Sequence, residues 1–103
     1  MSMRELEGKV ALVTGGARNI GRAIALELAD GGAAVAIAVR ADMTRANAVA
    51  REVESRGGQA LAIRADITDP SAVKRAVDAT IERFTRLDIL VNNAGIRPEV
   101  PLE

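Results

Sequence analysis

Apolar positions along the chain fall into short uncharged runs that alternate with longer stretches of helical period. Val10-Ala11-Leu12-Val13 is continuous rather than alternating, which suits a strand covered on both faces. Ile20, Ile24 and Leu28 then recur every four residues, with Ala23 alongside and Gly31-Gly32 as the stop, predicting a helix from Arg18 to Asp30. Ala34 to Val39 is a second uncharged run and a second strand. Ala46, Val49, Ala50 and Val53 make an apolar stripe that ends at Ser55-Arg56-Gly57-Gly58, a second helix with Asp42 or Thr44 as its cap. Ala60-Leu61-Ala62-Ile63 supplies a third strand, and Asp69-Pro70 places an N-cap ahead of proline at the first helical position. Val73, Ala76, Val77, Thr80 and Phe84 share one face of the third helix, with Lys74, Arg75, Asp78, Glu82 and Arg83 opposite. Leu87 to Val91 makes a fourth strand, and the period disappears in the segment holding Pro98 and Pro101.

Strands that alternate with helices imply right-handed crossovers and a parallel sheet with helices on both faces. The expected class is α/β, a Rossmann-type doubly wound sheet whose four strands stand in the order 3-2-1-4, as part of a domain. In that order the fourth strand is an edge, and Ile89-Leu90-Val91 is too apolar to face water without further chain or a partner over it.

Composition narrows the chemistry. Among 103 residues, 14 Lys plus Arg balance 14 Asp plus Glu, and 49% are hydrophobic, yet Phe84 is the one aromatic residue. With no His, Cys, Tyr or Trp, a His-based triad, a cysteine nucleophile and a thiolate zinc site are excluded. No catalytic and no metal-ligating residue is therefore assigned. Zero net charge and the lack of stacking aromatics argue against nucleic acid as a partner. The longest charge-free stretch, Gly31 to Val39, is far short of the ~20 residues of a membrane span. Met1 to Glu5 is followed by no apolar signal core, so a cytoplasmic location is the expectation.

The chemistry-bearing segment is Thr14-Gly15-Gly16-Ala17-Arg18-Asn19-Ile20-Gly21, where the first strand turns into the first helix. A helix start exposes unpaired N–H groups and the positive end of its dipole, and glycines let a pyrophosphate approach the backbone. The end of the second strand bears on which nucleotide binds. A carboxylate there suits the free 2′-hydroxyl of NAD; Val39-Arg40 stands there instead, with no carboxylate before Asp42. A guanidinium suits a 2′-phosphate, and Arg18 reaches toward the same place, so NADP is favoured over NAD.

Thr14-Gly15 through Gly21, Asp66-Ile67 and Asn92-Asn93-Ala94-Gly95 resemble the N-terminal half of a short-chain dehydrogenase/reductase, with bacterial-type 3-oxoacyl-carrier-protein reductases among the similar members. The family pattern Thr-Gly-x-x-x-Gly-x-Gly is met at Thr14, Gly15 and Gly21, with Asn19 at its middle glycine. The resemblance covers nearly the whole chain and implies that residues 1–103 are the N-terminal part of a single dinucleotide-binding domain. With Arg18 and Arg40 added from the charge argument, the expected cofactor contacts are Gly15, Ala17, Arg18, Asn19, Ile20, Gly21, Arg40, Asp66, Ile67, Asn93, Ala94 and Gly95. Asp66 would accept from the adenine amino group, Ile67 would flank the ring, Asn92 to Gly95 would shape the floor under the ribose, and Thr14 would tie the turn to that floor. Reading Asp66 as a cap and Asn92-Asn93 as plain turn residues is the alternative.

The family transfers the proton through a Tyr-x-x-x-Lys pair in its C-terminal half, and this chain has no Tyr. The expectation is an NADP-dependent oxidoreductase acting on a small carbonyl or alcohol, with these residues supplying the cofactor half, and a homo-oligomeric parent. The alternative is a stand-alone dinucleotide-binding module without turnover, or a truncated product. Nothing in these residues encodes which carbonyl or alcohol is used.

Overall fold

A computed structural model describes residues 5–15 and 17–93. Its elements run β1 (Val10–Thr14), α1 (Asn19–Asp30), β2 (Ala34–Val39), α2 (Met43–Ser55), β3 (Ala60–Arg64), α3 (Pro70–Phe84) and β4 (Ile89–Asn92). The strands form one sheet in the order β3-β2-β1-β4, with every pairing parallel, as the alternation implied.

The continuous apolar runs are explained by the pleat, which sends successive side chains to opposite faces. Val13, Val35 and Ile37 pack against α1 and α2, through Ala25, Leu26 and Ala29 on one helix and Ala46, Val49 and Val53 on the other. Leu12, Ala36 and Ala38 pack on the other side with Ala72 and Ala76 of α3. Both faces are covered, so β1 is buried at every position.

Two helices are rotated from the faces their periodicity predicted. In α1 the buried positions are Gly21, Ala25, Leu26 and Ala29; Ala23 is exposed, Ile24 and Leu28 are half-buried, and Ile20 is 68% exposed. Small residues at the centre of this face bring the helix close to the sheet, and the larger side chains flank the contact. Ile20 belongs to the first turn, at the end of β1, beyond what the sheet covers. In α3 the buried row is Ala72, Ala76, Thr80 and Phe84, with Val73 and Val77 half-buried beside it. A threonine is tolerated in that row because its hydroxyl donates to the Ala76 carbonyl at 2.8 Å.

Helix starts follow the expected chemistry with one selection made. Asp42, not Thr44, caps α2 by accepting from the Arg45 N–H at 3.0 Å. Asp69 caps α3 through the Ser71 N–H at 3.0 Å, with Pro70 in the first turn. Arg18 is the N-cap of α1 rather than its first residue, and it makes no side-chain cap.

β4 begins at Ile89, two residues later than the apolar run, and is the sheet's edge, with Leu90 57% exposed. Its start is fastened to β1 by Asp88, whose Oδ2 accepts from the Val10 N–H at 2.9 Å while its own N–H donates to the Val10 carbonyl at 2.9 Å. Arg86 donates to both oxygens of the same carboxylate. The Arg86 bond above all, with the Val10 N–H, holds the Asp88 carboxyl below its ordinary pKa against a smaller opposing effect of desolvation. A depressed carboxyl pKa stabilises the fold above the ordinary range near pH ~4, and that stabilisation is lost as pH falls through the folded value. Asp88→Asn is therefore expected to lower the melting temperature at pH 7, with the gap from wild type closing as pH is taken below the folded value. Thermal unfolding across pH checks this, and a gap independent of pH would refute it.

Candidate functional site

The parallel register brings the ends of all four strands to one rim, since Thr14 pairs with Ala38 and with Asn92, and Val39 pairs with Arg64. From Thr14 the chain turns through Gly15 at φ +71°, a left-handed conformation that glycine adopts without strain, while the Gly15 N–H donates to the Ala38 carbonyl at 2.8 Å. Ala17 is buried beneath the turn. Arg18 has extended backbone at φ −110°, ψ 162°, and its carbonyl accepts the Arg22 N–H. The N–H groups of the first turn of α1 have no helical acceptor, and its N-cap, Arg18, offers them no side-chain cap.

Gly15, Ala17, Arg18, Arg40, Asp66 and Ile67 line one open cavity of about 520 Å³ at this rim. These six come from three separate loops. Arg18 and Arg40 are both exposed and form no ion pair among the described residues. Asp42 lines the same cavity, but its carboxylate is committed to capping α2 and pairing with Arg45 at 3.4 Å.

Asp66 is not a helix cap; that position belongs to Asp69. Its Oδ1 accepts both the Thr68 hydroxyl at 2.7 Å and the Thr68 N–H at 3.0 Å. These bonds, hydroxyl first, pull the carboxyl below its ordinary pKa; desolvation opposes them, and nearby Arg40 adds a smaller lowering. Thr68, Asp42 and the β2 end at Ala38 and Val39 also line the cavity and were not among the cofactor contacts expected from sequence. The signal for Thr68 was an acidic residue with a hydroxyl two positions on, a pattern that closes a local turn.

The remaining predicted positions lie elsewhere. Asn19 and Ile20 stand exposed at the start of α1, while Gly21 is buried in its first turn. Asn93 lies across β1 from the cavity, its N–H donating to the Thr14 hydroxyl oxygen at 3.0 Å. That hydroxyl has the Val91 carbonyl at 3.3 Å and Asn92 Oδ1 at 3.2 Å as acceptors, so Thr14 ties the turn to the segment after β4. Gly16, Ala94 and Gly95 lie outside the described residues. A second cavity, about 400 Å³, opens at the opposite end of the strands around Gly8, Gly58 and Phe84 and contains none of these positions. Among the described residues no group of His, Cys, Asp or Glu is arranged to hold a metal ion, and no helix is long and apolar enough to cross a membrane.

A model of the family described as short chain dehydrogenase matches residues 9–103. The chain belongs to the short-chain dehydrogenase family. It is 44% identical over 94 residues to an uncharacterized oxidoreductase of Methylorubrum extorquens and 43% identical over 94 residues to a 3-oxoacyl-[acyl-carrier-protein] reductase of Synechocystis. Each alignment takes in 91% of this chain and 38% of the relative, so the chain spans well under half the length of these short-chain dehydrogenase relatives. A dehydrogenase/reductase from Sinorhizobium meliloti superposes with a TM-score of 0.87 at 53% identity, covering 90% of this chain and 37% of that one. A short chain dehydrogenase from Burkholderia cenocepacia, solved in complex with NADP, gives 0.86 at 52% identity over 95% of this chain and 42% of its own. The short-chain dehydrogenases are oxidoreductases that bind a nicotinamide cofactor, and the parallel sheet described above is their fold.

The Thr14 tie has a measurable consequence. Thr14→Val keeps the shape but leaves the Asn93 N–H without its acceptor, an expected loss of about 1–3 kcal/mol in denaturant unfolding. Unchanged stability would show that the tie carries no weight.

Proposed function

We propose that this chain supplies the cofactor-binding residues of an NADP-dependent short-chain dehydrogenase that interconverts a small carbonyl compound and its alcohol. The observation that carries the reading is the pair of guanidinium groups, Arg18 and Arg40, which line one cavity and form no ion pair among the described residues, while Asp42, the carboxylate just after β2, is held in a helix cap. Two cations on a rim whose carboxylate at the end of β2 is committed to a helix cap suit a ribose 2′-phosphate better than a free 2′-hydroxyl.

The remaining residues suit the rest of such a cofactor. The uncapped first turn of α1, reached through Gly15, offers N–H groups and the positive dipole end to a pyrophosphate. Asn19, Ile20 and Gly21 lie in that turn, and the 68% exposure of Ile20 leaves an apolar side chain for a bound ring to cover. Asp66 and Ile67 present an acceptor beside an apolar surface, which suits an amino-bearing base such as adenine. Thr14 and Asn93 brace the floor next to the turn, with Ala94 and Gly95 following in sequence. When bound, NADP(H) supplies or accepts the hydride. The proton relay of the family uses a tyrosine, which is not among these 103 residues, so no catalytic residue is assigned to them. The balanced charge and lack of cysteine support a cytoplasmic protein working without nucleic acid or membrane, and the apolar, exposed edge at Leu90 supports a homo-oligomeric whole.

Arg40→Asp is expected to lower the NADPH-to-NADH affinity ratio by about tenfold to a hundredfold, through loss of one charge-assisted contact and gain of a repulsive one. Fluorescence titration with both dinucleotides measures it, and an unaltered ratio would sink the NADP assignment. Gly21→Leu, by crowding the first turn of α1, is expected to weaken both dinucleotides alike, whereas a selective loss of one would contradict a pyrophosphate role for that turn.

A further inference from the structure

We infer that Thr68 is a positioning residue for the nucleobase: it fixes the Asp66 carboxylate so that Oδ2 faces the cavity as the acceptor for the exocyclic amine of adenine. The inference rests on the NADP reading above and names the group that gives it base selectivity.

The geometry is specific. A free Asp side chain rotates about two bonds, and a carboxylate that samples several orientations is a poor reader of a single amine. Here Thr68 donates twice to the same oxygen, through its hydroxyl at 2.7 Å and its N–H at 3.0 Å. Two donors on one atom set both the direction of the carboxylate and its rotation, and no hydrogen bond from the described residues goes to Oδ2. Asp66, Ile67 and Thr68, in the loop after β3, line the same cavity as Arg18 and Arg40, which follow β1 and β2. A phosphate drawn to the guanidinium groups leaves the base lying along Ile67, with its edge at the carboxylate. An ionised carboxylate accepts and cannot donate, so it distinguishes a base edge bearing an amine from one bearing a carbonyl. The two Thr68 bonds also hold the carboxyl below its ordinary pKa, with Arg40 reinforcing them, which keeps Asp66 an acceptor at neutral pH.

No covalent role is asked of Thr68, and its side chain is exposed, so its replacement leaves the core untouched. The test compares NADPH with its hypoxanthine analogue, in which the base carries a carbonyl in place of the amine. Both are titrated by fluorescence against the intact protein and against Thr68→Val and Thr68→Ser, each checked for an unchanged melting temperature. Wild type is expected to favour NADPH by about tenfold, the worth of one charge-assisted hydrogen bond. Thr68→Val is expected to lose most of that preference, Thr68→Ser to keep it, and the NADPH-to-NADH ratio to stay put in both.

Wild-type selectivity that survives in Thr68→Val would overturn the positioning role while leaving the reading of Asp66 intact. Absence of base selectivity in wild type would overturn the Asp66 reading itself, whereas failure of the NADP reading shows separately in the NADPH-to-NADH ratio. Loss of selectivity in Thr68→Ser as well as Thr68→Val would also count against the hydroxyl.

Discussion

The parallel pairing of β1 with β2 on one side and β4 on the other is the constraint from which the candidate site follows. Parallel strands are joined through crossovers, so each strand leaves the sheet at the same rim and each exit begins a loop. With Thr14 level with Ala38 and Asn92, and Val39 level with Arg64, residues as distant in sequence as Gly15, Arg40 and Asp66 become neighbours without any direct bond between their side chains. A slip of one residue would exchange the faces of Leu12 and Val13, which sit in different cores, and both packings would be lost together. The site is thus held in register by hydrophobic layers that touch no ligand.

Against that frame the charges sort themselves by commitment. Asp42 and Asp69 are spent on helix caps, Asp66 on Thr68 and Asp88 on the start of β4. Arg22, Glu52, Arg56 and Asp30 neutralise one another along the outer faces of α1 and α2. At the rim, Arg18 and Arg40 form no ion pair among the described residues, while the two carboxylates beside them, Asp42 and Asp66, are oriented by local hydrogen bonds. Net charge alone would have missed this, since it counts acids without asking what they hold.

Much of the architecture was legible because the apolar runs and their punctuation are strong local signals. Asp69-Pro70 marked the start of α3, the charge-free runs marked strands buried on both faces, and the glycine turn between strand and helix marked the rim. What periodicity could not convey is how closely a helix approaches the sheet. Alanine and glycine read as weakly apolar, yet Gly21, Ala25 and Ala29 take the centre of the α1 contact because they are small, and Ile20 is displaced to the solvent-facing end. At the site, the motif residues were found by kind and spacing, while the withdrawal of Asp42 and the double bond set on Asp66 Oδ1 are facts of rotamer and distance that no spacing contains.

The ties on β4 also bear on the order in which the sheet assembles. β1 and β2 are joined through a single helix, whereas the Asp88 and Thr14 fastenings link positions 78 apart in sequence. Closing the longer loop costs more chain entropy, and contacts of high sequence separation slow folding. On loop-closure entropy β4 is expected to dock onto a sheet already built from β3, β2 and β1, with the floor beside the glycine turn the last part of the rim to acquire its shape.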